Sequence, residues 1–306
     1  MMFTILFLLL LLIGASVIGS WWIERRYPPI GDFVEVQGLR LHYVRQGAPD
    51  APTLLLVHGA NSNLRDFASS ILPTLARDHQ VIAFDRPGYG YSQRPPGEWL
   101  DPGKVARLLL DACEQLGIQR PVVLGHSWAG SVVMSALVNM PQRVSGGVLL
   151  AGVAGHWAGS NGWTYDVGDL PLLGRFFAWT TVFPLGQFML DGAVVKVVAP
   201  NPVPENYAKN IGVPLALRPR SFINNVQDMT RLSQYMQSLS PRYDRISSPL
   251  LMIHGAADQL VPFWNHGRRV LPVVPQAQVV RIAGAGHAPH HTHSDQVVSA
   301  LSRFAR

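Results

Sequence analysis

The chain begins with a long apolar segment. Residues 1–23 carry no charged side chain, and as a helix rising about 1.5 Å per residue they would span the roughly 30 Å hydrocarbon core of a bilayer. Trp21 and Trp22 stand at its end, where interfacial aromatic residues are common. We therefore predict an uncleaved transmembrane anchor over residues 1–26. A cleaved signal peptide is the alternative, although no Lys or Arg precedes the apolar run.

Beyond the anchor, short apolar runs alternate with helical stretches. Uninterrupted apolar runs are typical of strands buried on both faces of a parallel sheet, and strands that alternate with helices indicate right-handed crossovers. A period-two pattern over residues 33–44 predicts a hairpin before them. The predicted buried strands cover residues 53–57, 81–84, 121–124, 147–151, 250–253 and 277–282.

One interval, residues 155–245, has no buried strand pattern. It is rich in aromatic residues and Met, which commonly line apolar pockets. We predict a helical cap here, inserted into an α/β core formed by residues 27–154 and 246–306. The sequence gives no indication of the oligomeric state.

The sharpest motif is Gly125-His126-Ser127-Trp128-Ala129-Gly130. An apolar strand precedes it and a helical run follows it, which is the context of a nucleophile elbow. In such a tight turn the serine is exposed, and glycines avoid clashes of side chains. Ser127 is therefore the predicted nucleophile.

A serine hydroxyl needs a base and an acid that orients the base. His287 follows the predicted strand 277–282, and Asp258 follows the strand 250–253. The carboxyl ends of parallel strands meet at one edge of a sheet, and the order Ser, Asp, His is the one this arrangement requires. We predict that His287 is the general base and then the general acid, and that Asp258 orients it.

Other candidates for these roles are weaker. The three histidines that closely follow His287 in the sequence are predicted to form a solvated or capping turn rather than a metal site. The histidine directly before Ser127 is predicted to have a packing role. Two aspartates of the insertion lack a preceding strand, and one earlier aspartate is out of chain order. These residues are His290, His291, His293, His126, Asp228, Asp244 and Asp85.

An oxyanion hole needs two backbone donors. The amide of Trp128, next after the nucleophile, is one. The turn after the strand 53–57 supplies the other, for which Ala60 is the first choice and Asn61 the second. We also predict that the side chains of Asn61 and Trp128 contact the substrate.

Together these residues resemble the α/β-hydrolase superfamily with a helical cap. The resemblance covers about residues 34–304 and is carried by His58-Gly59, residues 85–92, residues 125–130, Asp258 and Gly286-His287. It implies an α/β-hydrolase fold, with a mostly parallel eight-stranded sheet and the cap after the sixth strand. Esterase-like, epoxide-hydrolase-like and cofactor-free haloperoxidase-like members look closest.

Departures from the family's patterns narrow the activity. Its epoxide hydrolases and haloalkane dehalogenases use Asp where this chain has Ser127, which disfavours both activities. His58-Gly59-Ala60 also lacks the multi-glycine run of some lipases and carbon–carbon bond hydrolases.

Charge and cysteine content exclude several classes of protein. The net charge is +6, from 25 Lys and Arg against 19 Asp and Glu, and all of these residues follow position 23. No Lys/Arg-rich run or nucleic-acid motif is present, so a basic surface beside anionic lipid headgroups is the expected role of the charge. One cysteine excludes an internal disulfide and a cysteine-based zinc site.

The predicted protein is a membrane-anchored serine hydrolase that cleaves a carboxylic ester with an apolar acyl or alcohol part through an acyl-enzyme. No cofactor, metal or nucleic acid is expected. Arg25 and Arg26 favour the cytoplasmic side for the catalytic domain. Thioesterase, perhydrolase or carbon–carbon bond hydrolase chemistry, or a catalytically silent binding protein on this fold, are the alternatives.

Overall fold

The structure, a computed structural model, describes residues 2–305 and contains an eight-stranded sheet. The spatial order is β1-β2-β4-β3-β5-β6-β7-β8, and β1/β2 and β2/β4 are its antiparallel pairs. This agrees with the predicted hairpin and the mostly parallel sheet. The strands are β1 Asp32–Val36, β2 Leu39–Gln46, β3 Thr53–Val57, β4 Gln80–Phe84, β5 Val122–His126, β6 Gly146–Leu150, β7 Leu250–Gly255 and β8 Gln278–Ile282.

Fourteen α-helices are found among the described residues, and some last only one turn. They are α1 Met2–Arg26, α2 Arg65–Ala68, α3 Leu72–Leu75, α4 Pro102–Gln115, α5 Gly130–Asn139, α6 Trp163–Gly168, α7 Leu173–Phe177, α8 Phe183–Gly186, α9 Leu190–Val198, α10 Tyr207–Asn210, α11 Pro219–Leu239, α12 Gly267–Val270, α13 Pro289–Thr292 and α14 Ser294–Phe304.

The core forms two layers, one on each face of the sheet. In β3, Leu55 and Val57 pack in the layer that includes α4 and α5, whereas Leu54 and Leu56 pack in the layer that includes α3 and α14. Successive strand side chains point to opposite faces, so an apolar run such as Thr53–Val57 is required where helices cover both faces.

Between β6 and β7 the structure has helices and no strand among the described residues. The C-terminal part of this insertion is joined to the core through Asp228 on α11. Its carboxylate accepts hydrogen bonds from Arg86 at 2.9 Å, Arg94 at 2.9 Å and Tyr89 at 2.8 Å. All four side chains are nearly or fully buried, so the loop after β4 holds α11 in place. The cap boundaries at residues 155 and 245 remain a prediction.

Helix α1 projects from the domain at one end and packs on the insertion at the other. Most of its first fifteen residues are exposed, whereas Ser16, Gly19 and Ile23 are buried. A Cβ atom at Gly19 would lie 2.0 Å from the ring of Phe183, so this glycine is what allows α1 to approach α8 closely. Glu24 completes the contact by accepting a hydrogen bond from Arg218 at 2.9 Å.

Within residues 2–305, two helical segments are long and apolar enough to cross a membrane. They are Met2–Arg26, with a mean hydropathy of 2.6, and the irregular helix Leu173–Val198, with a mean hydropathy of 1.3. A signal sequence near the N-terminus and a buried core helix meet the same criteria, so length and composition make α1 a candidate and do not establish a membrane span.

Candidate active site

The turn between β5 and α5 has the strained geometry that the motif predicts. Ser127 follows β5 directly and has φ of 54°, in the left-handed region that non-glycine residues rarely adopt. A Cβ atom at Gly125 would lie 2.1 Å from the carbonyl oxygen of Ala129, and one at Gly130 would lie 2.6 Å from the amide nitrogen of Val153. Only glycine fits at both positions, which leaves the half-buried Ser127 hydroxyl at the carboxyl edge of the sheet.

Ser127, His287 and Asp258 form a continuous row of hydrogen bonds. The Ser127 hydroxyl lies 2.9 Å from Nε2 of His287, and Nδ1 of the same ring lies 2.8 Å from Oδ2 of Asp258. The three residues follow β5, β8 and β7, so the parallel sheet alone brings together side chains that are far apart in the sequence. A Ser O–H that donates to Nε2 and an Nδ1–H that donates to Asp258 require the neutral Nδ1–H tautomer.

Contacts with residues other than His287 also fix the position of the Asp258 carboxylate. Its Oδ1 accepts hydrogen bonds from the amides of Leu260 at 2.9 Å and Val261 at 3.0 Å, and Nε2 of His254 lies 3.3 Å from its Oδ2. His254 also donates to the carbonyl oxygen of Val261 at 2.7 Å. These contacts fix the orientation of the Asp258 carboxylate toward His287, and no sequence pattern indicated the His254 contact.

The pKa values of the pair favour a charged aspartate and a neutral histidine. Burial alone would raise the pKa of Asp258, but hydrogen bonds from His254 and His287 outweigh burial and hold it below its usual range. Burial lowers the pKa of His287, against the opposing effect of Asp258. At neutral pH the imidazole is therefore able to accept a proton from Ser127.

The turn after β3 lies against the nucleophile. A Cβ atom at Gly59 would lie 3.0 Å from Cβ of Ser127, so a larger residue would crowd the serine. The amide of Ala60 has no hydrogen-bond acceptor among residues 2–305, whereas the amide of Asn61 donates to Oδ1 of Asn225 at 2.9 Å. Of the two donors predicted for this turn, Ala60 is the one whose amide has no acceptor in the part of the chain that the structure describes.

The Asn61 side chain faces the insertion. Its Nδ2 donates to the hydroxyl of Tyr165 at 3.0 Å, and Asn225 donates to the same hydroxyl at 3.2 Å. Asn61 is exposed and has φ of 52°. The turn that carries the first oxyanion candidate is therefore joined to α6 and α11, and a substrate contact of Asn61 remains a prediction.

The side chain of Trp128 differs from what we expected. It is 1% exposed and packs in the core layer that includes α4 and α5. Its Nε1–H donates to the carbonyl oxygen of Asp228 at 3.1 Å, and the guanidinium of Arg86 lies 3.9 Å from the ring centroid. The predicted substrate contact is corrected here, because the indole fills the space beneath α11 and leaves only the backbone of Trp128 beside Ser127.

Behind His287 lies a second group of histidines around a buried carboxylate. Oδ1 of Asp66 on α2 lies 2.7 Å from Nε2 of His291 and 3.2 Å from Nε2 of His290. His126 lies 3.5 Å from Oδ2 of the same carboxylate and donates to the backbone carbonyl of His287 at 3.0 Å. We call these four residues, Asp66, His126, His290 and His291, the Asp66 cluster.

The Asp66 cluster corrects the predicted solvated turn after His287. His290 is fully buried, and His291 is part-buried, whereas the packing role predicted for His126 agrees with its contact on His287. Burial would raise the pKa of Asp66, but its electrostatic interaction with His290 and the hydrogen bonds from His290 and His291 hold it well below its usual value. No sequence signal linked Asp66 to residues more than 200 positions away.

Three members of the cluster have the geometry of a metal site. Ligand atoms of Asp66, His126 and His290 lie within 4.8 Å of one another, and Nδ1 of both His126 and His290 lacks a hydrogen-bond partner. The hydrogen bonds to the Asp66 carboxylate account for the arrangement without an ion.

Comparison with known proteins identifies the family. The sequence profile described as "Alpha/beta hydrolase family" matches residues 54–300. The chain therefore belongs to the α/β-hydrolase family, and the family and its relatives indicate a hydrolase.

Among similar proteins, the uncharacterized hydrolase YugF of Bacillus subtilis is 24% identical over 91% of this chain and 98% of its own length. Epoxide hydrolase A of Mycobacterium tuberculosis is 25% identical over 90% of this chain and 97% of its own. A solved structure titled as a membrane phospholipase A and bacterial virulence factor superposes with a TM-score of 0.69 at 19% identity, covering 99% of this chain and 98% of its own. At that identity the superposition shows a shared fold only.

Proposed function

We propose that this protein is a membrane-anchored serine hydrolase that cleaves carboxylic esters with an apolar acyl or alcohol part through an acyl-enzyme. The observation that carries the proposal is the row Ser127, His287 and Asp258, with contacts of 2.9 and 2.8 Å. A hydroxyl at positive φ on a tight turn, a neutral imidazole and a fixed carboxylate are the parts that acyl transfer requires.

In the proposed mechanism, the Ser127 oxygen attacks the ester carbonyl carbon while His287 Nε2 takes the hydroxyl proton. Hydrogen bonds from the backbone amides of Ala60 and Trp128 stabilise the negative charge that develops on the carbonyl oxygen. His287 then gives its proton to the leaving alcohol, and a water molecule repeats the sequence on the acyl-enzyme. Asp258 remains ionised throughout and stabilises the imidazolium that forms in each half-reaction.

An ester substrate is favoured over an epoxide by the residue at position 127. Epoxide hydrolase A is among the similar proteins, but the epoxide hydrolases of this superfamily carry Asp at the position that Ser127 occupies here. The membrane phospholipase A with a similar fold is named for ester cleavage. Thioesters, peracids and carbon–carbon bonds are alternative substrates for the same three residues.

The anchoring part of the proposal rests on α1. Its apolar first half is exposed, and its second half packs on the insertion through Gly19 and Ile23. A signal peptide that is removed would leave Phe183 without this contact. The insertion also exposes large apolar side chains, including Leu172 at 79% and Phe188 at 86%, which suits a protein that works beside lipid. We place the catalytic domain on the cytoplasmic side, following Arg25 and Arg26.

A fluorophosphonate probe tests the nucleophile directly, because it reacts with serines activated by a base. We expect the full-length protein to be labelled and Ser127→Ala to abolish labelling and ester hydrolysis. The matched control is Ser131→Ala, which removes a buried serine hydroxyl four residues away that bonds to the Trp128 carbonyl. Labelling that persists in Ser127→Ala, or no labelling of the wild type, would contradict the proposal and favour a silent binding protein.

A panel of p-nitrophenyl esters with acyl chains of two to sixteen carbons tests the substrate class. We expect kcat/KM to rise with acyl length before it levels off. Activity restricted to thioesters or peracids would replace the carboxylesterase assignment while retaining Ser127 as the nucleophile. Extraction of membranes with alkaline carbonate tests the anchor, and release of the full-length protein would contradict it.

A further inference from the structure

A cavity lies beside the C-terminal end of α1, next to α2 and α10. Its volume is about 380 Å³, which is within the range of small-molecule sites. Arg26, Arg65 and Lys209 line it, together with polar groups of Ser69 and Asn210. None of these residues belongs to the row formed by Ser127, His287 and Asp258, and we call this space the basic cavity.

The positive charge of the basic cavity is not neutralised by the protein. Among residues 2–305, no carboxylate oxygen lies within 4 Å of the charged nitrogens of Arg26, Arg65 or Lys209. The nearby Glu24 is instead paired with Arg218 at 2.9 Å. Three cations around one cavity repel one another, so a bound anion would relieve this repulsion.

Arg65 is already positioned by the chain that leaves α1. One of its guanidinium nitrogens donates to the carbonyl oxygen of Pro28, and the side chain is half-buried. Burial lowers the pKa of Arg65, which is the direction expected for a cation partly removed from water without an acidic partner. Its remaining N–H groups keep the planar fork that matches phosphate oxygens.

The position of the cavity along α1 points to a ligand at the surface of a membrane. Arg26 ends the helix and lies 5.3 Å from the ring centroid of Trp22, and the guanidinium of Arg25 lies 4.0 Å from the ring of Trp21. Trp and Arg in this order are typical of the boundary between hydrocarbon and headgroups. If α1 spans the bilayer, the basic cavity lies at the level of the lipid phosphates.

We propose that the basic cavity binds a phosphate group, the chemistry that anionic phospholipid headgroups and free phosphate share. Arg65 supplies a bidentate contact, and Arg26 and Lys209 supply two further charges. The lipid source rests on the membrane anchoring proposed above. In that case the site holds a headgroup next to the domain that carries Ser127 and fixes how the domain sits on the bilayer.

The test uses the full-length protein in dodecyl maltoside micelles and three probes. They are a short-chain diether phosphatidylglycerol, which a hydrolase cannot cleave, the matching diether glycerol without phosphate, and sodium phosphate at constant ionic strength. We expect saturable binding of the diether phosphatidylglycerol, weakened about tenfold or more in Lys209→Gln and Arg26→Gln. The diether glycerol should not bind at this site.

Lys196→Gln is the matched control, because Lys196 is an exposed lysine on α9 that does not line the cavity. Binding of sodium phosphate with the same dependence on Lys209, and with no preference for the lipid, would support the phosphate site and assign it to the free anion. The proposal is overturned if neither phosphate probe binds saturably, or if Lys209→Gln and Lys196→Gln bind equally well.

The test of the phosphate site can fail independently of the test of the proposed hydrolase function. Hydrolysis of a soluble p-nitrophenyl ester by Lys209→Gln should equal that of the wild type, since Lys209 lies outside the Ser127 site. Absence of ester hydrolysis by the wild type would contradict the hydrolase assignment and would not affect the proposal that the basic cavity binds phosphate. Absence of phosphate binding together with normal ester hydrolysis would contradict the phosphate site and leave the hydrolase assignment unaffected.

Discussion

Asp258 and Asp66 are buried aspartates that each bond to histidines, and of these two groups only that of Asp258 reaches the Ser127 hydroxyl. Asp258 orients His287, whose other ring nitrogen lies 2.9 Å from the Ser127 hydroxyl. Asp66 bonds to His290 and His291, neither of which contacts a nucleophile. The two groups meet at the backbone of His287, where His126 of the Asp66 cluster donates to the carbonyl oxygen.

Residue type alone therefore does not define the chemistry of an Asp–His pair. Asp258 and His287 follow β7 and β8 at the carboxyl edge of the sheet, where the substrate crevice of such folds lies. Asp66 lies on α2, and its hydrogen-bond partners His290 and His291 lie on α13, which follows His287 in the chain. We interpret the first group as catalytic and the second as the structure that supports it.

The largest expected effect comes from Asp258→Asn. An amide cannot hold His287 in the tautomer with a proton on Nδ1, so we expect kcat on a soluble ester to fall about 10⁴-fold. Steady-state kinetics measure this, with circular dichroism to confirm folding. Asp244→Asn, at an exposed carboxylate near the end of the insertion, is the matched control and should leave kcat unchanged. Near-normal turnover of Asp258→Asn would show that another acid serves His287.

The Asp66→Asn variant should lose mainly stability, whereas Asp258→Asn should lose mainly activity. Removing one partner from a buried, hydrogen-bonded charge group typically costs about 3 kcal/mol of stability, so we expect a clear drop in the urea midpoint. The kcat of the folded protein should fall by less than about tenfold, since Asp66 reaches His287 only through His126, which donates to the His287 carbonyl and packs on its ring.

His293→Asn is the control for the Asp66 cluster, because His293 belongs to the same histidine run but bonds to Thr292 rather than to Asp66. If a folded Asp66→Asn protein lost as much kcat as Asp258→Asn, the interpretation of the Asp66 cluster as a structural support would be wrong.

The smallest expected effect is in the pH dependence. The active form of His287 is neutral and its pKa is lowered by burial, so the acid limb of kcat/KM should be centred below the ordinary histidine pKa of about 6.5. The folded pKa of Asp258 is also lowered, so its contribution to stability is present above its unfolded pKa of about 3.9 and is lost only below it.

A pH series from 5.0 to 8.5, with folding checked at each point, measures this limb. Asp66→Asn should keep the same limb, because Asp66 does not contact the imidazole of His287. An acid limb centred at or above pH 6.5 would contradict the assignment of His287 as a buried, neutral base.

Local patterns in the sequence determined the parallel sheet, the hairpin and the positions of Ser127, Asp258 and His287 relative to strand ends. Each depends on neighbours within a few residues: a strand buried on both faces needs an apolar run, and a strained turn needs glycine at 125 and 130. The carboxyl edge of the sheet then follows from chain direction alone. The same reasoning placed Ala60 in the turn beside the serine.

Which distant side chains meet depends on the three-dimensional packing of the chain. Asp66 and His290 are 224 positions apart, and Arg86 meets Asp228 across 142 positions, so no period or short motif records either contact. Trp128 was expected at the substrate and lies in the core, because α11 with Asp228 closes over it. The basic cavity likewise joins residues of α1, α2 and α10. Such contacts are set by packing in three dimensions, where the chain's local patterns carry no information about the partner.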